Sequence, residues 1–231
     1  KDLPTTLPDE LTIAAITERE DARDALVLRE GLIIEQPSIK HLPEGCIVGT
    51  SSPRRLSQLK YLRPHLAIKE LRGNVDTRLR KLDAGEYDAV ILASAGLRRH
   101  GLAHRISASL EIEEMLPAVG QGALAVETRG QDEEAISILA LLEDADTRAA
   151  CTAERALLRA LGGGCQLPIA AHAIAQGNHL RLLGLVAETS GETIIRDSLA
   201  GVSSQAERLG NELALRLRER GAESLISGIT L

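Results

Sequence analysis

The stretch Leu71 to Leu97, LRGNVDTRLRKLDAGEYDAVILASAGL, decides the fold class. Gly73-Asn74 is a turn signal, and Asp76 through Leu82 spaces apolar and basic residues as a helix with two faces that Gly85 closes. Asp88 to Ala93 is a short apolar run of the length and composition of a buried strand, and Ser94-Ala95-Gly96 opens a helical segment bearing Arg98 and Arg99. Upstream the same unit recurs. Cys46 to Thr50 reads as a strand, and Ser51-Ser52-Pro53 offers an N-cap serine with proline at the first helical position. A helix then runs to about Leu62, followed by a strand at Ala67 to Leu71. Leu11 to Ile16 is a further strand, ended by the charged cluster Glu18-Arg19-Glu20-Asp21. A succession of strand–helix units predicts an open α/β sheet.

Downstream the pattern changes. Pro117 to Val126 is a glycine-punctuated segment leading into a strand, with Gly120-Gln121-Gly122 read as a hinge rather than a phosphate loop, because the full dinucleotide pattern is missing. Helices are expected at about Gln131 to Leu142 and Thr147 to Leu161. Ile169 to Ile174, Leu180 to Val186 and Thr193 to Leu199, separated by turn signals, predict a small antiparallel sheet covered by a helix from about Ser204 to Gly221. This C-terminal α+β part is expected to begin near Asp144.

The 231 residues are 44% hydrophobic and 26% charged, which excludes a disordered chain. The most apolar run, Ala89 to Leu97, is too short for a membrane helix, which needs about 20 residues. A net charge of −6, no Phe or Trp and only two Tyr argue against nucleic acid, since neither the basic surplus nor the stacking platforms are there. Three cysteines without C-x-x-C spacing indicate neither a disulfide framework nor a zinc site, and six histidines without ligand spacing indicate no metal. These features and the absence of a secretory signal fit the cytoplasm.

Chemistry gathers at two places. Arginines recur where strands give way to helices: Arg54 and Arg55, Arg72 and Arg78, Arg98 and Arg99. In an open α/β sheet those positions share one edge, where helix N-termini favour anions and guanidinium forks hold carboxylates or phosphates. The second place is Gly162-Gly163-Gly164-Cys165-Gln166-Leu167-Pro168, whose glycines permit tight turns and close approach to a bulky group, and which presents Cys165 as an attachment point or nucleophile. Cys46 and Cys151 read as core residues. By itself Asp2 reads as the end of the chain; beside an arginine-lined cleft its carboxylate would oppose a cationic intermediate.

The segments KDLP (Lys1 to Pro4), EREDARDAL (Glu18 to Leu26), VGTSSPRR (Val48 to Arg55), Leu71 to Leu97, LPAVGQGALAVE (Leu116 to Glu127) and AERALLRALGGGCQLP (Ala153 to Pro168), in that order, closely resemble the hydroxymethylbilane synthase, or porphobilinogen deaminase, family. The resemblance spans essentially the whole chain. It implies periplasmic-binding-protein-like domains 1 and 2 with the active site between them, and a C-terminal α+β domain 3. Residues 1–17 and 119–141 would be part of domain 1, 18–118 domain 2, and 142–231 domain 3. The implied activity is a transferase of porphyrin and haem biosynthesis that deaminates porphobilinogen and joins it head-to-tail into a linear tetrapyrrole, as a cytoplasmic monomer. A covalent dipyrromethane cofactor would be held by a thioether to Cys165, with Lys1, Ser52, Arg54, Arg55, Arg72, Arg78 and Gly122 around it. Arg99 and Gln121 would bind substrate, and Asp2 would be the catalytic carboxylate.

Three positions depart from the family pattern: Gly162 for Glu, Pro53 for Leu and Ala22 for Pro. A chain that began at Lys1 would lack an N-terminal stretch of domain 1 and is expected to be inactive. The alternatives are a non-catalytic carboxylate- or phosphate-binding module of periplasmic-binding-protein type, which needs no Cys165, and a structural fragment with no activity of its own.

Overall fold

A computed structural model describes residues 1–4, 6–163 and 167–227. In chain order its strands and helices are β1 Leu11–Ile16, β2 Asp24–Leu28, β3 Ile47–Gly49, α1 Pro53–Leu62, β4 Ala67–Lys69, α2 Val75–Asp83, β5 Ala89–Ala93, α3 Ser94–Arg99, β6 Ala108–Ser109, β7 Ala125–Arg129, α4 Glu133–Leu139, α5 Ala145–Ala160, β8 Ile169–Gln176, β9 His179–Ala187, β10 Ile194–Val202, α6 Ala206–Glu219 and α7 Ala222–Ser227. No helix among the described residues is long and apolar enough to cross a membrane.

The strand–helix units of the sequence form a five-stranded sheet of order β4-β3-β5-β2-β6. Strands β4, β3 and β5 are parallel, as right-handed strand–helix–strand connections require. Strands β2 and β6 run antiparallel to them, so the sheet is mixed. The sequence reading missed β2, because DALVL is short, opens on a charge and carries no turn signal. Yet it is a central strand, with Ala25, Leu26 and Val27 fully buried between two hydrophobic clusters, one on each face.

Local signals explain the helix boundaries. The Asn74 side chain accepts from Thr77 N at 2.9 Å and caps α2, and Gly85, at φ 76°, ends it. Pro53 stands at the first position of α1, as expected. The expected serine cap is not made: Ser52 is the N-cap residue but its hydroxyl forms no cap bond. The neighbouring Ser51 Oγ instead accepts from Leu71 N at 3.0 Å, tying the start of α1 to the end of β4.

Strands β1 and β7 pair antiparallel, Leu11 opposite Arg129 and Ile16 opposite Ala125, as a two-stranded ribbon. The C-terminal part is the expected antiparallel meander, order β10-β9-β8, with α5 and α6 packed on one face over Leu157, Leu182, Leu213 and Leu217. Gly210 lets the two helices meet: a Cβ there would lie 2.3 Å from the Ala153 carbonyl oxygen.

Candidate active site

The chain passes twice through the junction of these units, once at residues 17–23 and once at 117–124. The passes are bonded to each other, Thr17 N to Leu124 O at 3.0 Å and Glu20 N to Gly122 O at 3.3 Å. They cross closely because Gly122, at φ 89°, has no Cβ; one would lie 2.3 Å from the Glu20 carbonyl oxygen. The glycines read as a hinge thus make a backbone crossing.

A buried ion pair fixes the crossing to α5. Glu154 is fully buried: its Oε1 accepts from Arg19 Nη1 at 2.6 Å and Ala173 N at 2.7 Å, and its Oε2 from Gly120 N at 2.6 Å. Arg19 Nε donates to the Gln121 carbonyl oxygen at 2.8 Å. His172 is buried beside it, Nδ1 3.8 Å from Glu154 Oε1. Burial lowers its pKa, Glu154 opposes that shift and Arg19 adds to it.

Beside the crossing lies a cavity of about 350 Å³. Its wall brings together seven residues singled out in the sequence: Lys1, Asp2, Ser52, Arg54, Arg55, Arg78 and Gln121. Leu158, Leu167 and Ile169, which flank the glycine–cysteine loop in sequence, line the same cavity. Cys165 itself lies outside the described residues. The first turn of α1 also borders the cavity, with the unbonded N–H groups and positive dipole end of a helix start. A second cavity, of about 530 Å³ and mostly apolar walls, shares Lys1, Asp2, Val119 and Leu158 with the first.

Burial and neighbouring cations disfavour the charged forms of Lys1 and Arg78. Burial lowers the pKa of Lys1, and Arg55 lowers it further while Asp2 opposes the shift. Burial and then Arg55 lower that of Arg78. Arg54 Nε and Gln121 Oε1, one a donor and the other an acceptor, are buried without a hydrogen-bond partner in two residues of that wall. A group with acidic side chains and N–H donors, such as dipyrromethane, fits the cations and the Asp2 carboxylate that line this cavity.

Three of the expected site residues do not line this cavity. Arg72 lies in the loop after β4 with its side chain 82% exposed and paired with Glu70. Arg99 comes in the last turn of α3, which carries it away from the strand end; it is exposed, and its Nη2 donates to the Gly122 carbonyl oxygen at 2.8 Å. Gly122 serves the crossing described above. Cys46 and Cys151 are buried free thiols, pushed up by burial to about 11 and about 12, as inert core cysteines are.

Asp24, Arg19 and Glu154 were not singled out in the sequence. For Glu154 a signal was there: it falls on the helix face of Ala150, Cys151, Ala153 and Leu157, all buried, where a carboxylate must have a partner. For Asp24 the signal was weaker, a charge at the head of an apolar run.

Comparison with known proteins bears on the same residues. The family model described as porphobilinogen deaminase, dipyromethane cofactor binding domain, matches residues 1–137, and that of the porphobilinogen deaminase C-terminal domain matches residues 148–219. The porphobilinogen deaminase of Nostoc sp. is 50% identical over 229 residues, 99% of this chain and 70% of that protein. That of Pelobacter propionicus is 48% identical over 229 residues, 99% and 72% respectively. Among solved structures, holo ArgBP from T. maritima aligns with a TM-score of 0.34 and 18% identity over 55% of this chain and 54% of that one.

Proposed function

Because the chain belongs to the porphobilinogen deaminase family, we propose that the cation-lined cavity beside the crossing is where it carries out that family's reaction. The activity is hydroxymethylbilane synthesis: porphobilinogen is deaminated and joined stepwise, head to tail, into a linear tetrapyrrole, so the chain is a transferase of porphyrin biosynthesis that uses dipyrromethane. The anion-binding alternative has no need of that cofactor and is set aside. The observation that carries the site is the cavity wall itself, where the Asp2 carboxylate faces the same space as Lys1, Arg54, Arg55 and Arg78.

Opposite charges on that wall have opposite tasks. The arginines and Lys1 neutralise the carboxylates of porphobilinogen and of the growing chain, with guanidinium forks suited to bidentate contact. Ser52 and the start of α1 add uncharged donors at the same end of the cavity. Ammonia leaves porphobilinogen with the electrons of the broken C–N bond, and the remaining pyrrole carries the positive charge that a fixed Asp2 carboxylate offsets. When bound through Cys165, dipyrromethane supplies the pyrrole terminus to which units are added. Lys1, Ser52, Arg54, Arg55 and Arg78 would hold it, and Gln121 would meet the incoming substrate.

The same reading assigns residues 1–17 with 119–141, 18–118 and 142–231 to three domains that meet at this cavity, and has the chain act as a cytoplasmic monomer. Intact mass and peptide mapping test the cofactor: a two-pyrrole adduct on Cys165 is expected, and it is lost in Cys165→Ser. Asp2→Asn keeps the adduct and loses porphobilinogen turnover by about a hundredfold or more, the scale of one missing electrostatic stabiliser. An Asp2→Asn chain with wild-type turnover overturns the assignment.

A further inference from the structure

Behind the cavity wall lies one carboxylate, inside the EREDARDAL segment, to which the sequence reading gave no role. Asp24, the first residue of β2, is fully buried. Its Oδ2 accepts from Arg54 Nη1 at 2.6 Å. Its Oδ1 accepts from Arg55 Nη2 at 2.7 Å, Gln121 Nε2 at 2.9 Å, Arg55 Nε at 3.2 Å and Arg54 Nη2 at 3.4 Å. Arg54 and Arg55 are consecutive in α1, so their side chains leave the helix about 100° apart, and their like charges repel. A shared anion brings both guanidiniums to one place.

What the anion leaves unused is as informative as what it binds. Gln121 Nε2 spends both hydrogens, on Asp24 and on the Ala22 carbonyl oxygen at 2.7 Å. Both partners are acceptors, so the amide has one orientation, and Oε1 remains as the unpartnered acceptor. Arg54 Nη1 is also taken by the Leu116 carbonyl oxygen at 2.8 Å and Arg55 Nη1 by that of Ile91 at 2.9 Å, leaving Arg54 Nε as the unpartnered donor. We propose that Asp24 is the positioning residue of the cleft, setting Arg54, Arg55 and Gln121 as one unit beside the space that a pyrrole bearing carboxylates would fill. The inference rests on the function proposed above, and it adds the residue that gives the wall its polarity. Burial alone would raise the Asp24 pKa, but Arg54 and Arg55 hold it well below the usual carboxylate range.

The test compares Asp24→Asn with Leu213→Ala, a core truncation in the C-terminal part, by porphobilinogen affinity from calorimetry, KM and kcat, and the fraction of chains with the Cys165 adduct. Asparagine turns a donor toward one guanidinium or toward Gln121. The expected result is an affinity about tenfold to a hundredfold weaker, KM raised in step and adduct fraction reduced, with Leu213→Ala within about twofold of wild type. In an Arg55→Lys background the Asp24→Asn effect is smaller, because the two residues act as one unit. If Asp24→Asn does not fold, Asp24→Glu carries the test: it keeps the charge, displaces the carboxylate by one methylene and weakens affinity in the same direction. A folded Asp24 variant that binds porphobilinogen as wild type does, or is no more impaired than Leu213→Ala, overturns the inference. A wild-type chain that binds porphobilinogen but carries no adduct and turns none over overturns the proposed function, and leaves the affinity comparison to decide on Asp24.

Discussion

Replacing Arg19 by methionine should be among the most damaging single changes outside the hydrophobic core, and adding a second substitution should partly repair it. Arg19 and Glu154 form a pair whose side chains are 11% and 0% exposed. Removing the cation leaves a fully buried carboxylate with two backbone N–H groups, from Gly120 and Ala173, as its remaining hydrogen-bond donors. Breaking a buried pair from one side costs about 3–5 kcal/mol. The Gln121 carbonyl oxygen also loses its donor, adding about 1 kcal/mol. The sum is a large part of the roughly 5–15 kcal/mol that holds a protein folded, and it corresponds to a fall in Tm of about 8–24 °C for a chain of this size. In Arg19→Met/Glu154→Gln the buried charge is gone, and the glutamine carbonyl still serves one of the two N–H groups. The orphaned second group costs about 1–3 kcal/mol. The double variant should therefore be more stable than Arg19→Met alone, by about 2 kcal/mol. The assay is urea unfolding followed by circular dichroism at pH 7.5, comparing midpoints at constant slope. A single variant that loses less than about 1 kcal/mol, or a double variant no more stable than the single, would refute the reasoning from an uncompensated charge.

Two further outcomes follow from the same junction. Burial lowers the pKa of His172, so below pH 6.5 the unfolded chain takes up a proton that the folded chain does not, and stability must fall as pH drops from about 6.5 toward the folded pKa. His172→Gln should flatten that part of a Tm-against-pH profile, and an unchanged slope would remove His172 as its cause. Gly122→Ala puts a Cβ 2.3 Å from the Glu20 carbonyl oxygen at φ 89°, so it should cost about 3 kcal/mol or more by thermal unfolding, whereas Gly85→Ala, at φ 76° with open space around it, should cost about 1–2 kcal/mol.

By itself the sequence determined the strand–helix succession of the α/β part, the antiparallel meander after Asp144 and the candidate residues of the cavity wall. These are local matters: a buried strand such as Ala89 to Ala93 needs an apolar run, the start of α1 needs Pro53 at its first turn, and arginines after parallel strands must come to one edge of a sheet. Tertiary structure decided which of those arginines face one space. Arg72 and Arg99 follow strands just as Arg54 and Arg55 do, but the length of the loop after β4 and the last turn of α3 carry them out of the wall, a difference no spacing rule contains. It also decided the sign of the site. Asp24 stands 30 residues before Arg54 and 97 before Gln121, and Arg19 stands 135 before Glu154. A carboxylate in an aqueous chain needs no partner, and only when the fold takes these groups out of water does each require its opposite charge within hydrogen-bond reach.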